Sequence, residues 1–449
     1  MAELQDRIRG ATVAVVGMAK SGFAAAALLR EHGATVRAVD SSNAPELFRQ
    51  ASAEGLEILP QQAAAFAGVD AVVISPGVPA DLDLFEPLRA GGIPVIGELE
   101  LAGWWLQGPV IGITGSNGKT TTTALVGEIL RQAGIPSQVG GNIGRPPTDM
   151  VASSRPDQWT VLELSSFQLE MTDTFRAHVA VALNVTPNHL DRHHSFENYA
   201  AAKGRIFRNQ QPGDTAILNA DDHVCRAYAS QTRASVVWFS LERPVEHGFW
   251  LDGDTVRADG GVLMKVTEVR LRGRHNLQNV MAAAATARRA GASFDQIRRA
   301  VQTFPGVEHR IEPVGQVNGV DYYNDSKATS VDAALKAVDS FPGGLWIILG
   351  GKDKGASYAP LGEPLRSKAH AALLIGAAAG KISNELAGFV PVIRCDTLET
   401  AVQYAHQHAT RGDTVLLAPA CASFDQFRSY EHRGQVFKQL VNELAAEDH

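Results

Sequence analysis

Along the first hundred residues, short apolar runs alternate with patterns of helical period. ATVAVVG (11–17) is apolar throughout, as a strand buried on both faces would be. SGFAAAALLREHG (21–33) follows as a helix that Gly33 closes. TVRAVD and DAVVISPG are a second and a third strand. Runs of β-branched residues separated by helices predict a parallel, doubly wound sheet. The pattern restarts after Glu98, where PVIGITGSNGKTTTTALVGEILRQAG reads as strand, glycine loop and helix. QWTVLELSS and HVAVALNVT are further buried strands, and LRGRHNLQNVMAAAATARRAG is a long helix closed by Gly291. It restarts again past TFPGVEHR, whose Pro305-Gly306 marks a linker. GVDYYNDSK, GLWIILGG, AALLIG and DTVLLAPA are the strands expected beyond it. The expectation is three α/β domains, at 1–97, 98–306 and 307–449.

Composition narrows the function. The chain has 449 residues, 45% hydrophobic and 20% charged, with a formal net charge of -7. A nucleic-acid or anionic-membrane binder carries a basic excess, so neither is expected. Cys225, Cys395 and Cys421 are odd in number and far apart, which predicts neither a disulfide framework nor a paired-cysteine zinc site. No apolar run is long enough to span a bilayer. The opening MAELQDRIRG is charged and lacks an apolar signal core. A cytoplasmic protein, not an integral membrane one, is expected.

The candidate chemistry begins at IGITGSNGKTTT. The strict phosphate-loop spacing G-x-x-x-x-G-K-[ST] would need glycine where Ile113 stands. Ile113 belongs to the preceding strand, however, and the cradle itself is intact. Gly115 and Gly118 let a backbone approach phosphate, Lys119 can bridge the outer phosphates, and Thr120 offers a hydroxyl to Mg²⁺. A bare Gly-Lys-Thr would equally suit a ligand-free turn; the strand before it and the helix after it favour a nucleotide. Glu163 ends an apolar run beside this loop, where Mg²⁺ is often held, although an exposed strand-end glutamate is the plainer reading. His189, Asp191, His193 and His194 crowd one segment, which suits metal or phosphate contact, or simply a polar loop whose helix Ser195 or Asn198 caps. Lys203 lies four residues beyond Tyr199 on one helix face, a position usually taken by a solvated charge. GMAKSG resembles a dinucleotide turn with Ala19 in place of its middle glycine, and Asp40 ends the next strand. Ser423 follows a strand and is read as opening a helix, a geometry that favours a carboxylate ligand. Cys421 reads as a small buried residue.

Ten motifs, TGSNGKTTT, GGNIG, LELSSFQLE, NVTPNHLDRH, YAAAK, GRHNLQN, GVEHRIE, NDSKATS, GGKDKG and PACASFDQF, run in order through the second and third parts of the chain. Together they resemble the Mur ligase family, and LELSSFQL with PACASFDQF resembles its D-glutamate-adding branch. The resemblance implies three domains: N-terminal Rossmann-like and UDP-binding, central P-loop ATPase-like, and C-terminal Rossmann-like and amino-acid-binding. It implies an ATP-dependent ligase of peptidoglycan precursor synthesis. A carboxylate of UDP-N-acetylmuramoyl-L-alanine would take the γ-phosphoryl group of ATP, and D-glutamate would displace phosphate from the acyl phosphate.

By the same resemblance, Gly115, Ser116, Asn117, Gly118, Lys119, Thr120 and Thr121 would hold the ATP phosphates. Asn276 and Asn279 would face adenine, and Arg310 and Asp325 would reach ATP from the third domain. Two Mg²⁺ ions would be served by Thr120, Glu163, His189 and Lys203, the last as a carbamate formed with CO₂. Lys119, Glu163, His189 and Lys203 would be the catalytic set. Ala19, Lys20, Ser21, Gly22, Asp40, Ser41, Ser75, Pro76, Gly77 and Asn142 would bind the UDP substrate. Lys327, Thr329, Lys352, Ser423, Phe424 and Tyr430 would bind D-glutamate. A monomer is implied. Two departures stand out: Asn188 precedes the histidine where the family usually has aspartate, and Tyr430 stands where phenylalanine is expected. Two other readings remain open here. One is a folylpolyglutamate synthase-like ligase with a pterin acceptor. The other is a nucleotide-gated binding protein, which would not require Glu163, His189 and Lys203 together.

Overall fold

The computed structural model describes residues 5, 6, 8–259 and 261–447, so the charged opening at 1–10 lies partly outside the described residues. The first sheet contains β1 (Thr12–Val16), β2 (Thr35–Asp40), β3 (Ile58–Pro60), β4 (Ala71–Ile74) and β5 (Val95–Gly97). Its order is β3-β2-β1-β4-β5 and every pair is parallel, the doubly wound arrangement expected. Side chains alternate across a strand. Val13 and Val15 therefore pack with Phe23 and Leu29 on one face, while Ala14 and Val16 pack with Phe66 and Phe85 on the other.

The second sheet is larger. It contains β6 (Val110–Thr114), β7 (Ser137–Gly141), β8 (Trp159–Glu163), β9 (Val179–Ala182), β10 (Thr215–Asn219), β11 (Ser235–Ser240), β12 (Gly248–Asp252), β13 (Thr255–Ala258) and β14 (Gly261–Lys265). The order is β14-β13-β12-β11-β10-β9-β6-β8-β7. β6 sits between β8 and β9, so the loop leaving it opens where the strand order reverses, the usual ligand crevice of such sheets. The antiparallel run β12–β14 was not anticipated.

The third sheet contains β15 (Glu312–Val317), β16 (Val320–Asn324), β17 (Leu345–Gly350), β18 (Ala369–Ile375), β19 (Val392–Asp396) and β20 (Thr414–Leu417), in the order β15-β16-β20-β17-β18-β19. Its β15–β16 edge is an antiparallel hairpin and the rest is parallel.

Contacts group the first two sheets into one compact unit, Met1–Glu268 with Leu277–Gln302. The third sheet falls in another, Val269–Asn276 with Thr303–His449. Among the described residues no helix is long and apolar enough to cross a membrane. All three cysteines are buried as free thiols.

Candidate active site

The phosphate loop is built from strand β6 and the helix Lys119–Gln132. Gly118 caps that helix at φ +85°, and a Cβ there would stand 2.2 Å from Asn279 Oδ1. Only glycine meets both conditions without strain. Asn184, just beyond β9, holds the loop from the other side. Its carbonyl accepts from Ser116 N at 2.8 Å and its Oδ1 from Asn117 N at 2.9 Å. The Ser116 hydroxyl, 3.0 Å from the Tyr199 hydroxyl, donates to the Thr186 carbonyl at 3.0 Å. Neither Asn184 nor Tyr199 has an expected role in the sequence, although Asn184 opens NVTPNHLDRH at the end of a strand next to the loop and Tyr199 opens YAAAK.

Two lysines converge on one atom of this loop. Lys119 Nζ and Lys203 Nζ each donate to the Gly115 carbonyl oxygen at 2.9 Å. Lys203 is only 1% exposed and lies over the Tyr199 ring at 4.6 Å, so the solvated-charge reading of this helix face is wrong. The helix Phe196–Gly204 starts on Ser195, whose side chain accepts from Asn198 N, and its position against the loop turns Lys203 inward. Burial first, and the Lys119 charge second, hold the Lys203 amine well below its ordinary pKa.

Glu163 is buried too, at 2% exposure, which overturns the exposed strand-end reading. Asn142 donates to Glu163 Oε1 at 2.9 Å through its side chain and to the Glu163 carbonyl at 2.8 Å through its backbone. Glu163 Oε2 is enclosed with no hydrogen-bond partner among the described residues. A buried carboxylate oxygen left open in this way is costly unless a cation or donor completes it, so the residues fit a Mg²⁺ ion.

The histidine cluster does not converge. His193 is buried with Nε2 2.9 Å from Ser166 Oγ, and His194 Nε2 lies 2.8 Å from Asp81 Oδ2. Among the described residues no group of three or more His, Cys, Asp or Glu side chains is placed to hold a metal together. His189 remains exposed at the mouth of the site. Partial loss of water around its ring, with the Lys119 and Lys203 charges, outweighs Asp191 and lowers its pKa.

The first-sheet turn is organised differently. Ser75 Oγ donates to the Gly17 carbonyl at 2.6 Å, and Asp40 accepts from Met18 N at 2.5 Å and from Ser42 N at 2.7 Å. A Cβ on Gly22 would stand 2.1 Å from the Gly17 carbonyl. Ala19, Ser41 and Gly77 are exposed, Ser21 and Pro76 half-buried, all around the carboxyl ends of β1, β2 and β4. Lys20 Nζ reaches the Gly144 carbonyl at 2.5 Å, two residues past Asn142.

In the third-sheet unit, Asp325 is buried and its pKa is raised to about 6 by burial, against the opposing pull of Arg310. Arg310 Nε is buried without a hydrogen-bond partner among the described residues. Asn276 donates to the Arg272 carbonyl at 2.7 Å. Lys327 Nζ lies 5.8 Å from the centre of the Tyr430 ring, and Lys354 Nζ donates to Thr329 Oγ1 at 3.2 Å. Lys352 and Ala422 form a two-residue bridge between the ends of β17 and β20, which brings Lys352 beside Ser423. Ser423 is buried and Phe424 is 68% exposed. Ser423 does not open a helix. Its carbonyl accepts from Gln426 N and Phe427 N in one turn, and the helix begins only at Tyr430. Arg433, fully buried there, went unread in the sequence. It donates to Ser326 Oγ at 3.0 Å and to the Ser326 and Cys421 carbonyls at 2.9 and 3.3 Å.

Family models match in three consecutive stretches: the MurD-like N-terminal domain over residues 11–97, the Mur ligase middle domain over 113–287, and the Mur ligase glutamate ligase domain over 309–421. A Solibacter usitatus protein named UDP-N-acetylmuramoylalanine–D-glutamate ligase is 59% identical, covering 98% of this chain and 100% of the relative. One of the same name from Koribacter versatilis is 49% identical over 98% and 99%. Among solved structures, UDP-N-acetylmuramate-alanine ligase from Thermotoga maritima aligns at TM-score 0.62 with 17% identity, over 96% of this chain and 99% of that one, a likeness of fold. With the three domain models in order and relatives of this identity over nearly the full length, the chain belongs to the Mur ligase family, on its D-glutamate-adding branch.

Proposed function

We propose that the chain joins D-glutamate to UDP-N-acetylmuramoyl-L-alanine, with ATP converted to ADP and phosphate, in peptidoglycan precursor synthesis. The observation that carries the reading is the convergence of Lys119 and Lys203 on the Gly115 carbonyl. The full-length relatives named for this reaction support the choice of substrates. Lys119 withdraws from Gly115 to the β- and γ-phosphates of ATP, whose α- and β-phosphates lie on the amides at the start of the Lys119–Gln132 helix. The L-alanyl carboxylate attacks the γ-phosphorus and ADP leaves. The D-glutamate amine then attacks the acyl phosphate carbon, loses a proton, and expels phosphate. Asn142 orients Glu163 and faces the acceptor. Lys327, Thr329, Lys352, Ser423, Phe424 and Tyr430 hold D-glutamate, Asn276 and Asn279 the adenine, and Arg310 with Asp325 the triphosphate from the third domain. The N-terminal turns at Ala19–Gly22, Asp40–Ser41 and Ser75–Gly77 hold the UDP group. Domain limits at 97 and 306 follow from this division of labour.

Mg²⁺, when bound, neutralises phosphate charge so that two anions can meet. We assign one ion to Thr120 and Glu163 and a second to His189 and Lys203. Burial lowers the pKa of Lys203 and so favours the free amine, which would add CO₂ and release one proton to give a carbamate. The change from a cation to an anion supplies oxygen ligands where an ammonium would repel the metal.

The test is phosphate release with defined substrates. We expect turnover only with UDP-N-acetylmuramoyl-L-alanine, D-glutamate and ATP together, and a loss of about 2–5 kcal/mol in kcat/KM for D-alanine, which leaves one carboxylate pocket unpaired. Equal turnover with D-alanine, or turnover with a pterin acceptor instead, would end this reading.

A further inference from the structure

The short helix Leu190–His193 carries a backbone cost at both ends. His189 before it has φ +52° and His194 after it has φ +63°, in the left-handed region that residues with a Cβ seldom occupy. Such a segment persists only where its surroundings hold it in place. Three consecutive side chains do so, with Arg192 and His193 both beside Glu170. Arg192 Nη2 donates to the Val78 carbonyl at 2.8 Å and to Glu170 Oε1. His193 meets Ser166, and His194 meets Asp81. Val78 and Asp81 both belong to the loop that leaves β4 through Ser75, Pro76 and Gly77. Val78 is fastened to that loop by its own N–H, which donates to the Ser75 carbonyl at 2.9 Å.

The His194–Asp81 pair is open to solvent, whereas the Arg192 side chain is 11% exposed, so Arg192 is the stronger of the two ties to the loop. Its guanidinium also lies over the Phe167 ring at 4.9 Å, and the His189 ring packs against the same phenyl at 4.9 Å. One forked side chain thus joins the β4 loop to the ring that backs His189. Both hydrogen bonds leave one nitrogen, Nη2, so what a lysine would lack here is the planar guanidinium face that stacks on Phe167 while those bonds are made.

We infer that Arg192 is a positioning residue that couples occupancy of the Ser75–Gly77 loop by the nucleotide end of the acceptor to the placement of His189 at the reacting end. This rests on the acceptor reading above. Binding energy from a remote part of a substrate raises turnover only when it is converted into order at the reacting centre. Arg192 provides the path for that conversion, so its loss acts on kcat and on the advantage that UDP confers.

The experiment compares the wild type with Arg192→Gln and Arg192→Lys on two acceptors. One is UDP-N-acetylmuramoyl-L-alanine. The other is N-acetylmuramoyl-L-alanine without the nucleotide, assayed with and without free UDP. In the wild type, the attached nucleotide raises kcat and free UDP partly restores the rate on the short acceptor. Arg192→Gln loses about 10- to 100-fold in kcat on the full acceptor. On the short acceptor it stays within about threefold of wild type, ignores added UDP and keeps its KM for ATP. Arg192→Lys falls between, and carries the comparison by itself if the glutamine variant does not fold. Equal losses on both acceptors would reduce Arg192 to a structural role and overturn the inference. So would an undiminished kcat, or a wild type whose kcat is indifferent to UDP. A wild type that ligates neither acceptor would instead bring down the acceptor reading itself.

Discussion

Two glycine turns in this chain begin alike and end differently. Each leaves a buried parallel strand, crosses a left-handed glycine and enters a helix with a lysine in its first turn. In the turn after β1, the polar groups serve the turn itself. Asp40 accepts the Met18 amide, Ser75 donates to the Gly17 carbonyl, and Lys20 lies on the surface. In the turn after β6, the surroundings are charged and buried. Lys119 and Lys203 share one carbonyl, and Glu163 keeps an unpartnered oxygen nearby in the same domain. The first turn is a shape that can receive a diphosphate. The second buries charges at a cost, which a bound nucleotide and cation would relieve on the proposed reading. The difference lies less in the glycines than in what the rest of the fold brings to them.

The largest expected effect tests that contrast directly. Lys119→Ala should lose about a thousandfold or more in phosphate release, because the proposed reading puts this charge on the transferred phosphoryl group. A residual rate within tenfold of wild type would place the two turns on one footing.

Lys203 comes next. Lys203→Ala should lose about a hundredfold while still binding ATP, and acetate or formate, but not chloride at equal ionic strength, should restore part of the rate. Rescue by amines instead would assign Lys203 a cationic role. Carbamate formation releases a proton, so wild-type activity should rise with pH and with added bicarbonate when CO₂ is scarce. The amine also carries a stability signature. Its pKa is lower in the folded chain than in the unfolded one, so its burial is unfavourable at neutral pH, and the cost fades as pH rises toward the ordinary lysine value. In CO₂-free buffer, Lys203→Met should therefore melt higher than wild type at pH 7, with the gap closing at alkaline pH.

Effects at the first turn are smaller and of another kind. Gly22→Ala sets a methyl group against the Gly17 carbonyl and should cost about 1–3 kcal/mol of stability, seen as an earlier denaturation midpoint. Lys20→Ala removes one exposed hydrogen bond to the Gly144 carbonyl. It should move stability by no more than about 0.5 kcal/mol, with any change in activity appearing in KM for the nucleotide acceptor.

The same contrast explains what could be read from the sequence. Both turns were legible, because strand, glycine and helix start are neighbours in the chain. The doubly wound first sheet and the parallel core of the second followed from apolar runs bounded by turns. The meander β12–β14 did not, since a half-exposed strand such as GVLMK, with only Leu263 and Met264 buried, carries little periodicity. The helix expected at Ser423 failed because the chain makes a single turn there and resumes helical geometry only at Tyr430. The deepest misreadings were of charge. Glu163, Lys203, Arg192 and Arg433 look like surface residues in any local window. Their burial is decided by segments tens of residues away, which no period of 2 or 3.6 encodes. The end of an apolar run beside the phosphate loop pointed to Glu163, only the resemblance of whole motifs pointed to Lys203, and nothing pointed to Arg192 or Arg433.

The three cysteines have a practical consequence. Cys225, Cys395 and Cys421 are enclosed, and burial raises the pKa of each thiol, that of Cys395 to about 11. Thiolate is the reactive form, so the folded chain is close to silent toward maleimides and other alkylating reagents. A single cysteine introduced at exposed Ala19 would then be the one fast-reacting thiol. A dye attached there, at the edge of the first turn, would report on that turn with no need to remove the native cysteines first.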